Sequence, residues 1–270
     1  MARIDSAVFD LDTLDLLAYR DSVVHRLDPR AKLLTTLVFI ITVVSHGRYE
    51  IAALLPYLIF PASLLILANL PVGYLGKKLL LVAPFALFIG VFNPFIDRDI
   101  ILQLGPLSVS GGWLSFGSIM LRFTLTVGTA LILVATTSFH GICYALEKFL
   151  APRVFVLQLL FLYRYLFVLI EQAVRLVKAR SLRSFHGRGL GIKSYSPLIG
   201  QLLLRTMDRA QRIHLAMLCR GFTGEIHLGR KLQIGLPDVV FTLGWSLLFI
   251  LFRSINIPQQ IGAWTLGLFQ

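Results

Sequence analysis

The stretch RVFVLQLLFLYRYLFVLIEQAVRLV, residues 153–177, decides the fold, because its position relative to a membrane is ambiguous. Its first eighteen residues are apolar enough to cross a bilayer. Four charged residues nevertheless recur at spacings of 7, 4 and 3 and so share one face of a helix: Arg164, Glu171, Arg175 and Lys178. Such a polar stripe predicts a helix that lies along or below the membrane. The alternative is a true span with a functional polar face.

The composition places the chain in the membrane. Of its 270 residues, 56% are hydrophobic and only 15% are charged, with a mean hydropathy of +0.77. A soluble domain of this size needs more charge to cover its surface. The first thirty residues carry six aspartates and no continuous apolar core, so we expect no cleaved signal peptide. The sequence therefore predicts an all-α integral membrane protein.

Five stretches are long and apolar enough to be predicted as membrane helices, where about 20 residues are needed to cross. They are residues 31–46, 51–69, 79–96, 113–137 and 236–252. Prolines inside the second and third predict kinks. Arg122 interrupts the fourth, and we expect it either to snorkel to an interface or to turn inward towards a partner.

The basic residues predict the orientation of the chain. If 153–177 does not span, the N-terminal arm, the 70–78 loop and the 138–235 region lie on one side and hold 22 of the 26 lysines and arginines. Lysine and arginine mark the cytoplasmic side, which accounts for the formal charge of +12 without nucleic acid. We therefore predict three parts: an N-terminal arm with four spans (1–137), cytoplasmic helices (138–235), and a last span with an external C-terminal tail (236–270).

The predicted cytoplasmic region contains a short interfacial helix at 139–152 and two long helices that form a hairpin. A glycine-rich linker at 187–195 separates the long helices, and Ser196 and Pro197 predict the start of the second one. Its apolar seam is Ile199, Leu203, Thr206, Ala210, Ile213 and Met217, and Asp208 is placed to pair with Arg212. Cys143 and Cys219 lie in this region, so we expect both thiols to be reduced.

Known catalytic and cofactor motifs are absent from the sequence. It has no G-x-x-x-x-G-K-[ST] phosphate loop, no Cys-x-x-Cys and no close pair of histidines. The predicted spans contain almost no acid beyond Asp238, so the signature of an ion-coupled transporter is also weak. We predict no cofactor, no metal site and no catalysis by this chain.

Each long helix is predicted to end in an arginine, Arg180 or Arg220, followed by a glycine-containing turn. A guanidinium at a helix end can bind a partner carboxylate with two parallel hydrogen bonds. A single such arginine is explained by compensation of the helix dipole. Two of them on one hairpin favour docking.

The motifs ARS at 179–181 (Ala179, Arg180, Ser181) and CRG at 219–221 (Cys219, Arg220, Gly221) resemble the paired Ala-Arg-Gly signatures of the T component of energy-coupling-factor (ECF) transporters. The segment HRLDPRAKLL, residues 25–34, resembles that family's N-terminal signature. The segment from 187 to 224 is most similar to the cobalt and nickel branch of the family, CbiQ. In physical terms Asp28 caps the first span, Pro29 starts it, and Arg30 and Lys32 are expected to anchor it at the cytoplasmic surface.

The resemblance implies a non-catalytic subunit that binds two ABC ATPases, which hold the ATP, and a membrane-embedded substrate-binding S component, with a small accessory membrane subunit as a further possible partner. Six residues would dock the ATPases: Ala179, Arg180, Ser181, Cys219, Arg220 and Gly221. Cobalt or nickel is the expected substrate. The alternatives left open are a vitamin substrate, a membrane-embedded lipid or isoprenoid enzyme, and an independent channel or secondary transporter.

Overall fold

A computed structural model describes residues 16–96, 100–104, 107–149, 151–183, 192–223 and 234–254. The helices are α1 Val23–Arg26, α2 Pro29–Val44, α3 Ile51–Leu54, α4 Ile59–Leu67, α5 Val72–Val91, α6 Asn93–Ile96, α7 Gly111–Thr136, α8 Phe139–Lys148, α9 Arg153–Arg183, α10 Ile192–Cys219 and α11 Leu236–Ser254. A 3₁₀ turn, Leu55–Leu58, joins α3 to α4. The predicted all-α class is confirmed.

One short antiparallel hairpin, which was not predicted, accompanies the helices. It pairs β1, Ile100–Leu104, with β2, Leu107–Ser110, and places Leu102 opposite Val109. Its register is irregular between Ile100 and Leu102. The hairpin lies between α6 and α7.

The chain divides into two compact units. The first, which we call the membrane unit, contains the described residues from 16 to 142 and from 234 to 254; the second contains those from 143 to 223, including α9 and α10. Four helices are long and apolar enough to cross a membrane, namely α5, α7, α9 and α11. The chain is a multi-pass membrane protein.

Several predicted boundaries were wrong. The third span begins at Val72 and not at residue 79, because Lys77 and Lys78 continue the helix instead of forming a loop. The second long cytoplasmic helix begins at Ile192, so Pro197 lies inside it. The predicted linker at 187–195 lies outside the described residues as far as 191, and the rest of it is helical.

An aromatic cluster forms the core of the membrane unit. Phe39 of α2 is fully buried, and its ring centroid lies 4.9 Å from that of Phe60 in α4 and 5.2 Å from that of Phe249 in α11. Tyr57 precedes α4 and donates a 3.2 Å hydrogen bond from its hydroxyl to the Phe249 carbonyl. Edge-to-face and tilted contacts of this kind add about 0.5–1.5 kcal/mol each to the area that they bury. They hold α2, α4 and α11 together.

Small side chains let α7 pack at the centre of the membrane unit, against α2, α3, α4, α5 and α6. Thr129 is fully buried and donates its hydroxyl to the Leu125 carbonyl of its own helix, so its polar group is satisfied. Gly90 of α5 meets this helix closely: a Cβ there would lie 2.8 Å from a ring carbon of Phe116. Close backbone approach through small residues is the usual way in which membrane helices associate.

A buried polar cluster ties α2, α7 and α11 together at one end of the membrane unit. Asp28 caps α2 by accepting a 2.9 Å bond from the Arg30 amide, and Pro29 is the first helical residue, as predicted. Lys32 is only 5% exposed and donates from Nζ to the Thr136 carbonyl at 2.8 Å. The expectation that Lys32 anchors α2 at the surface was therefore wrong.

Asp238 completes this cluster from the first turn of α11. One of its carboxylate oxygens accepts the Asp28 amide at 2.7 Å and the other accepts the Gly235 amide at 2.8 Å. The side chain is 5% exposed. The two nearby carboxylates, Asp28 and Asp238, attract the Lys32 ammonium and offset part of the cost of its burial, since a buried charge is costly unless it is paired and hydrogen-bonded.

Candidate functional site

The first motif, Ala179–Arg180–Ser181, lies in the last two turns of α9. The helix ends at Arg183 and not at Arg180 as predicted, so Arg180 projects from a complete helical turn. Ala179 is exposed, whereas Arg180 and Ser181 are half-buried. The Ser181 hydroxyl donates a 2.8 Å hydrogen bond to the Lys178 carbonyl, so its polar group is satisfied within its own helix.

The second motif, Cys219–Arg220–Gly221, forms the end of α10, and the predicted glycine cap is confirmed. Gly221 has a φ of 79°, the left-handed conformation that favours glycine. Its amide donates to the Leu218 carbonyl, and the Phe222 amide donates to the Met217 carbonyl, both at 3.0 Å. This pair of bonds is a Schellman motif. The motif fixes the direction in which the exposed Arg220 leaves the helix.

We expect Gly221→Ala to loosen this helix end. Alanine in the left-handed region costs about 1 kcal/mol, so amide hydrogen exchange at residues 217–222 should become about fivefold faster. The matched control is Gly200→Ala in the interior of α10, where no atom lies within 4 Å of the added Cβ. There the same substitution should stabilise the helix by about 1 kcal/mol. Equal exchange in wild type and Gly221→Ala would contradict the role assigned to the cap.

The helices α9 and α10 enclose an apolar cavity of about 490 Å³. Its lining from α10 includes Thr206, Ala210, Ile213 and Met217, which confirms the C-terminal half of the predicted seam. The remaining members of that seam, Ile199 and Leu203, are exposed. The two long helices therefore face each other across this cavity.

Sequence reasoning missed the α9 side of this cavity, which is lined by Leu157, Phe161, Tyr165, Leu169 and Gln172. Their spacing of about four residues was the available signal.

The two arginines occupy different places along this hairpin. Phe222, just beyond Arg220, lines the cavity, whereas the α9 lining stops at Gln172, eight residues before Arg180. Eight helical residues correspond to about 12 Å along the axis. The structure therefore places Arg220 beside the cavity and Arg180 beyond its α9 lining.

Two other arginines of the hairpin, Arg175 and Arg212, have intramolecular partners. Arg175 forms an ion pair with Glu171 on α9. Arg212 donates from Nε to the backbone carbonyl of Asp208 at 3.3 Å, so the predicted carboxylate pair is not formed. Within the described ranges, no hydrogen bond or ion pair engages the guanidinium of Arg180 or Arg220. Both groups are available for an external carboxylate.

The hairpin also exposes large apolar side chains. Leu182 beside the first motif is 78% exposed, and Leu215 and Leu218, before the second, are exposed as well. Contiguous exposed apolar surface marks a contact with a protein or a membrane. Charged and apolar contacts are thus presented together next to both motifs.

The two cysteines differ in environment, and neither forms a disulfide. Cys219 is exposed next to Arg220. Cys143 is buried in α8, and burial raises the pKa of its thiol to about 11. Among the described residues, no group of three or more His, Cys, Asp or Glu side chains could hold a metal ion.

These features define a class: a multi-pass membrane protein with a basic helical hairpin whose two motif arginines are unengaged among the described residues. The family model of CbiQ, described as a cobalt transport protein, matches residues 20–229. The chain belongs to this family. It is a T component of an energy-coupling-factor transporter, which is a non-catalytic subunit.

Three proteins similar to this chain are each named energy-coupling factor transporter transmembrane protein EcfT. The one from Bacillus subtilis is 28% identical over 75% of this chain and 82% of its own length. That from Ruminiclostridium cellulolyticum is 27% identical over 85% and 91% of the two chains. That from Heliobacterium modesticaldum is 29% identical over 86% and 92%. The predicted resemblance is confirmed.

Proposed function

We propose that this chain transmits conformational change from two partner ATPases to a membrane-embedded S component that carries cobalt or nickel ions. The observation that carries the proposal is the pair of unengaged arginines, Arg180 and Arg220, at two places on one helical hairpin. The other docking residues are their neighbours Ala179, Ser181, Cys219 and Gly221. ATP belongs to the ATPases, since this sequence has no phosphate loop.

The mechanical step follows from the rigidity of the hairpin. Each arginine binds a carboxylate on one ATPase, and closure of the ATPase pair moves the two attachment points relative to each other. We expect the apolar side chains of α9 and α10 that face each other across the cavity to keep the two helices together, so that the hairpin moves as one body. Its displacement rearranges the membrane helices against the S component.

The orientation belongs to the same proposal. The N-terminal arm and the hairpin lie in the cytoplasm, and the C-terminus lies outside. Although α9 has the length and composition of a span, we place it on the cytoplasmic side, because a crossing would move the basic residues from Lys178 to Lys231 outside.

Transport by the assembled complex tests the function and its substrate. Vesicles that hold this chain with its ATPases and S component should take up radioactive cobalt or nickel only with hydrolysable ATP, and vesicles with the chain alone should take up none. Uptake of a vitamin instead of a metal ion would show that the substrate of the complex is a vitamin. Metal uptake by the single chain would indicate a channel or secondary transporter, and turnover of a lipid without ATPases would indicate an enzyme.

A further inference from the structure

A second cavity, of about 560 Å³, opens at the surface of the membrane unit, far in sequence from the docking motifs, and its lining combines polar residues with Tyr49 and Ile119. Arg48, Asn93, Ser115, Ser118 and Arg122 line it. They come from the loop between α2 and α3, from α6, and from one face of α7 on which residues recur at spacings of three and four. Arg122, which interrupts a predicted span, is thus turned inward.

Two hydrogen-bond donors at this cavity lack a partner in the described part of the chain. Arg122 donates from Nη2 to the Gly47 carbonyl, but its Nε is buried without a hydrogen bond within the described part of the chain. Ser118 is 1% exposed, and its hydroxyl is also unpartnered there. Asn93 donates from Nδ2 to the Ser115 hydroxyl at 3.0 Å. Buried donors without acceptors are rare, so an acceptor from outside the chain is expected.

The charge around the cavity selects an anion. Arg48 and Arg122 line it, and Arg253 of α11 lies at the same end of the unit. The nearby acid, Glu50, is already engaged: its carboxylate lies 4.0 Å from the Arg253 guanidinium and accepts the Gly47 amide at 3.3 Å. An excess of positive charge therefore remains beside the unpartnered hydroxyl. Two arginines, a hydroxyl and an amide suit a phosphate group.

The depth of the cavity favours the phosphate of a lipid. Arg122 contacts the loop that follows α2, whereas Lys32, near the start of α2, contacts Thr136 at the end of α7. The 14 residues of α7 from Arg122 to Thr136 span about 21 Å. This distance is shorter than the hydrocarbon layer of about 30 Å. Trp113, an exposed aromatic of the kind found at membrane interfaces, lies nine residues or about 13 Å further along α7. A lipid headgroup must therefore lie deeper in the membrane here than elsewhere to reach the polar residues that follow α2.

We propose that this cavity binds the phosphate group of a phospholipid from the leaflet on its side of the membrane. The acyl chains lie against neighbouring exposed apolar side chains, such as Leu55 and Phe92. The bound lipid supplies the missing acceptor for Arg122 and Ser118. The proposal is independent of ATPase docking, because it concerns a different unit of the chain.

Native mass spectrometry of the purified full-length chain, titrated with dioleoylphosphatidylglycerol, tests this site. Wild type should retain one lipid more tightly than the Arg48→Gln, Arg122→Gln double variant by about 10-fold or more, since two charge-assisted contacts are lost. The matched control is Arg175→Gln, Arg205→Gln on the hairpin, which removes the same charge and should retain lipid as wild type does. Dioleoylphosphatidylcholine should bind more weakly than dioleoylphosphatidylglycerol, because its positively charged choline group is repelled by the arginines.

A second variant keeps the test valid if the double variant does not fold. Ser118→Ala removes an unpartnered buried hydroxyl, so it should leave the melting temperature unchanged or higher while it weakens lipid retention about threefold. Equal retention by wild type, Ser118→Ala and the double variant would overturn the proposal. Binding of inorganic phosphate with the same variant dependence, without any preference for lipid, would overturn the lipid source and leave a free-anion site.

Discussion

Replacement of both Arg180 and Arg220 by glutamate should weaken capture of the partner ATPases by about 100-fold or more. Each substitution removes a charge-assisted contact worth about 1.5–3 kcal/mol and places a negative charge opposite the partner carboxylate. Neither guanidinium has an intramolecular hydrogen bond or ion pair in the described part of the chain, so the hairpin should still fold. Detergent pull-down with the tagged chain, followed by ATP-dependent uptake in vesicles, measures the effect.

The control carries the same charge change elsewhere on the same helices. Arg175→Glu with Arg205→Glu reverses two exposed arginines of α9 and α10 that lie outside both motifs, and capture should stay within about threefold of wild type because exposed pairs contribute little. Equal capture by both double variants would show that the assigned motifs are not the attachment. If wild type captures no ATPase, the coupling proposal itself fails.

Cys219 offers an independent readout of the same contact. Its exposed thiol, next to Arg220, should react with a maleimide in the free chain and become protected when the ATPases bind. Cys143 should contribute no signal, since it is buried and its thiol pKa is raised to about 11. Unchanged labelling of Cys219 in the assembled complex would place the second motif outside the interface.

Lys32→Met should lower the free energy of unfolding of the membrane unit by about 3–5 kcal/mol, because it removes a buried cation from beside the Asp28 and Asp238 carboxylates, and only Asp28 keeps a contact with a second cation, Arg30 at 4.0 Å, among the described residues. The lysine Nζ also satisfies the Thr136 carbonyl at the end of α7, which methionine cannot do. Thermal unfolding in detergent should give a clearly lower midpoint than wild type.

Two further variants separate the loss of this cluster from a loss of charge in general. Lys77→Met removes an exposed lysine of α5 and should leave the midpoint nearly unchanged. Lys32→Met combined with Asp28→Asn removes one of the carboxylates as well, while the asparagine oxygen can still accept the Arg30 amide, and should recover part of the loss, since the two sites are coupled. A Lys32→Met chain that unfolds at the wild-type midpoint would refute the structural role of the cluster.

Charge and hydropathy in the sequence predicted most of the membrane segments, because bilayer thickness and the solvation of backbone groups act on composition directly. The same rule failed for Lys77 and Lys78: their charges predict a loop, but lysines can also extend a helix beyond the hydrocarbon layer, and both lie inside α5. A different rule, which places proline at the start of a helix, failed for Pro197. A first-turn position suits proline, but the backbone before it is already helical from Ile192.

The sequence by itself determined the class of protein, its family and the two arginine motifs, since hydropathy, basic-residue distribution and short motifs are local properties. Only the tertiary structure decided that Lys32 and Asp238, 206 positions apart, share one buried cluster, and that Arg122 and Ser118 face a polar cavity with the loop after α2. Both depend on which helices become neighbours. Helix packing is decided by the fit of many side chains at once, and a linear pattern does not contain that fit.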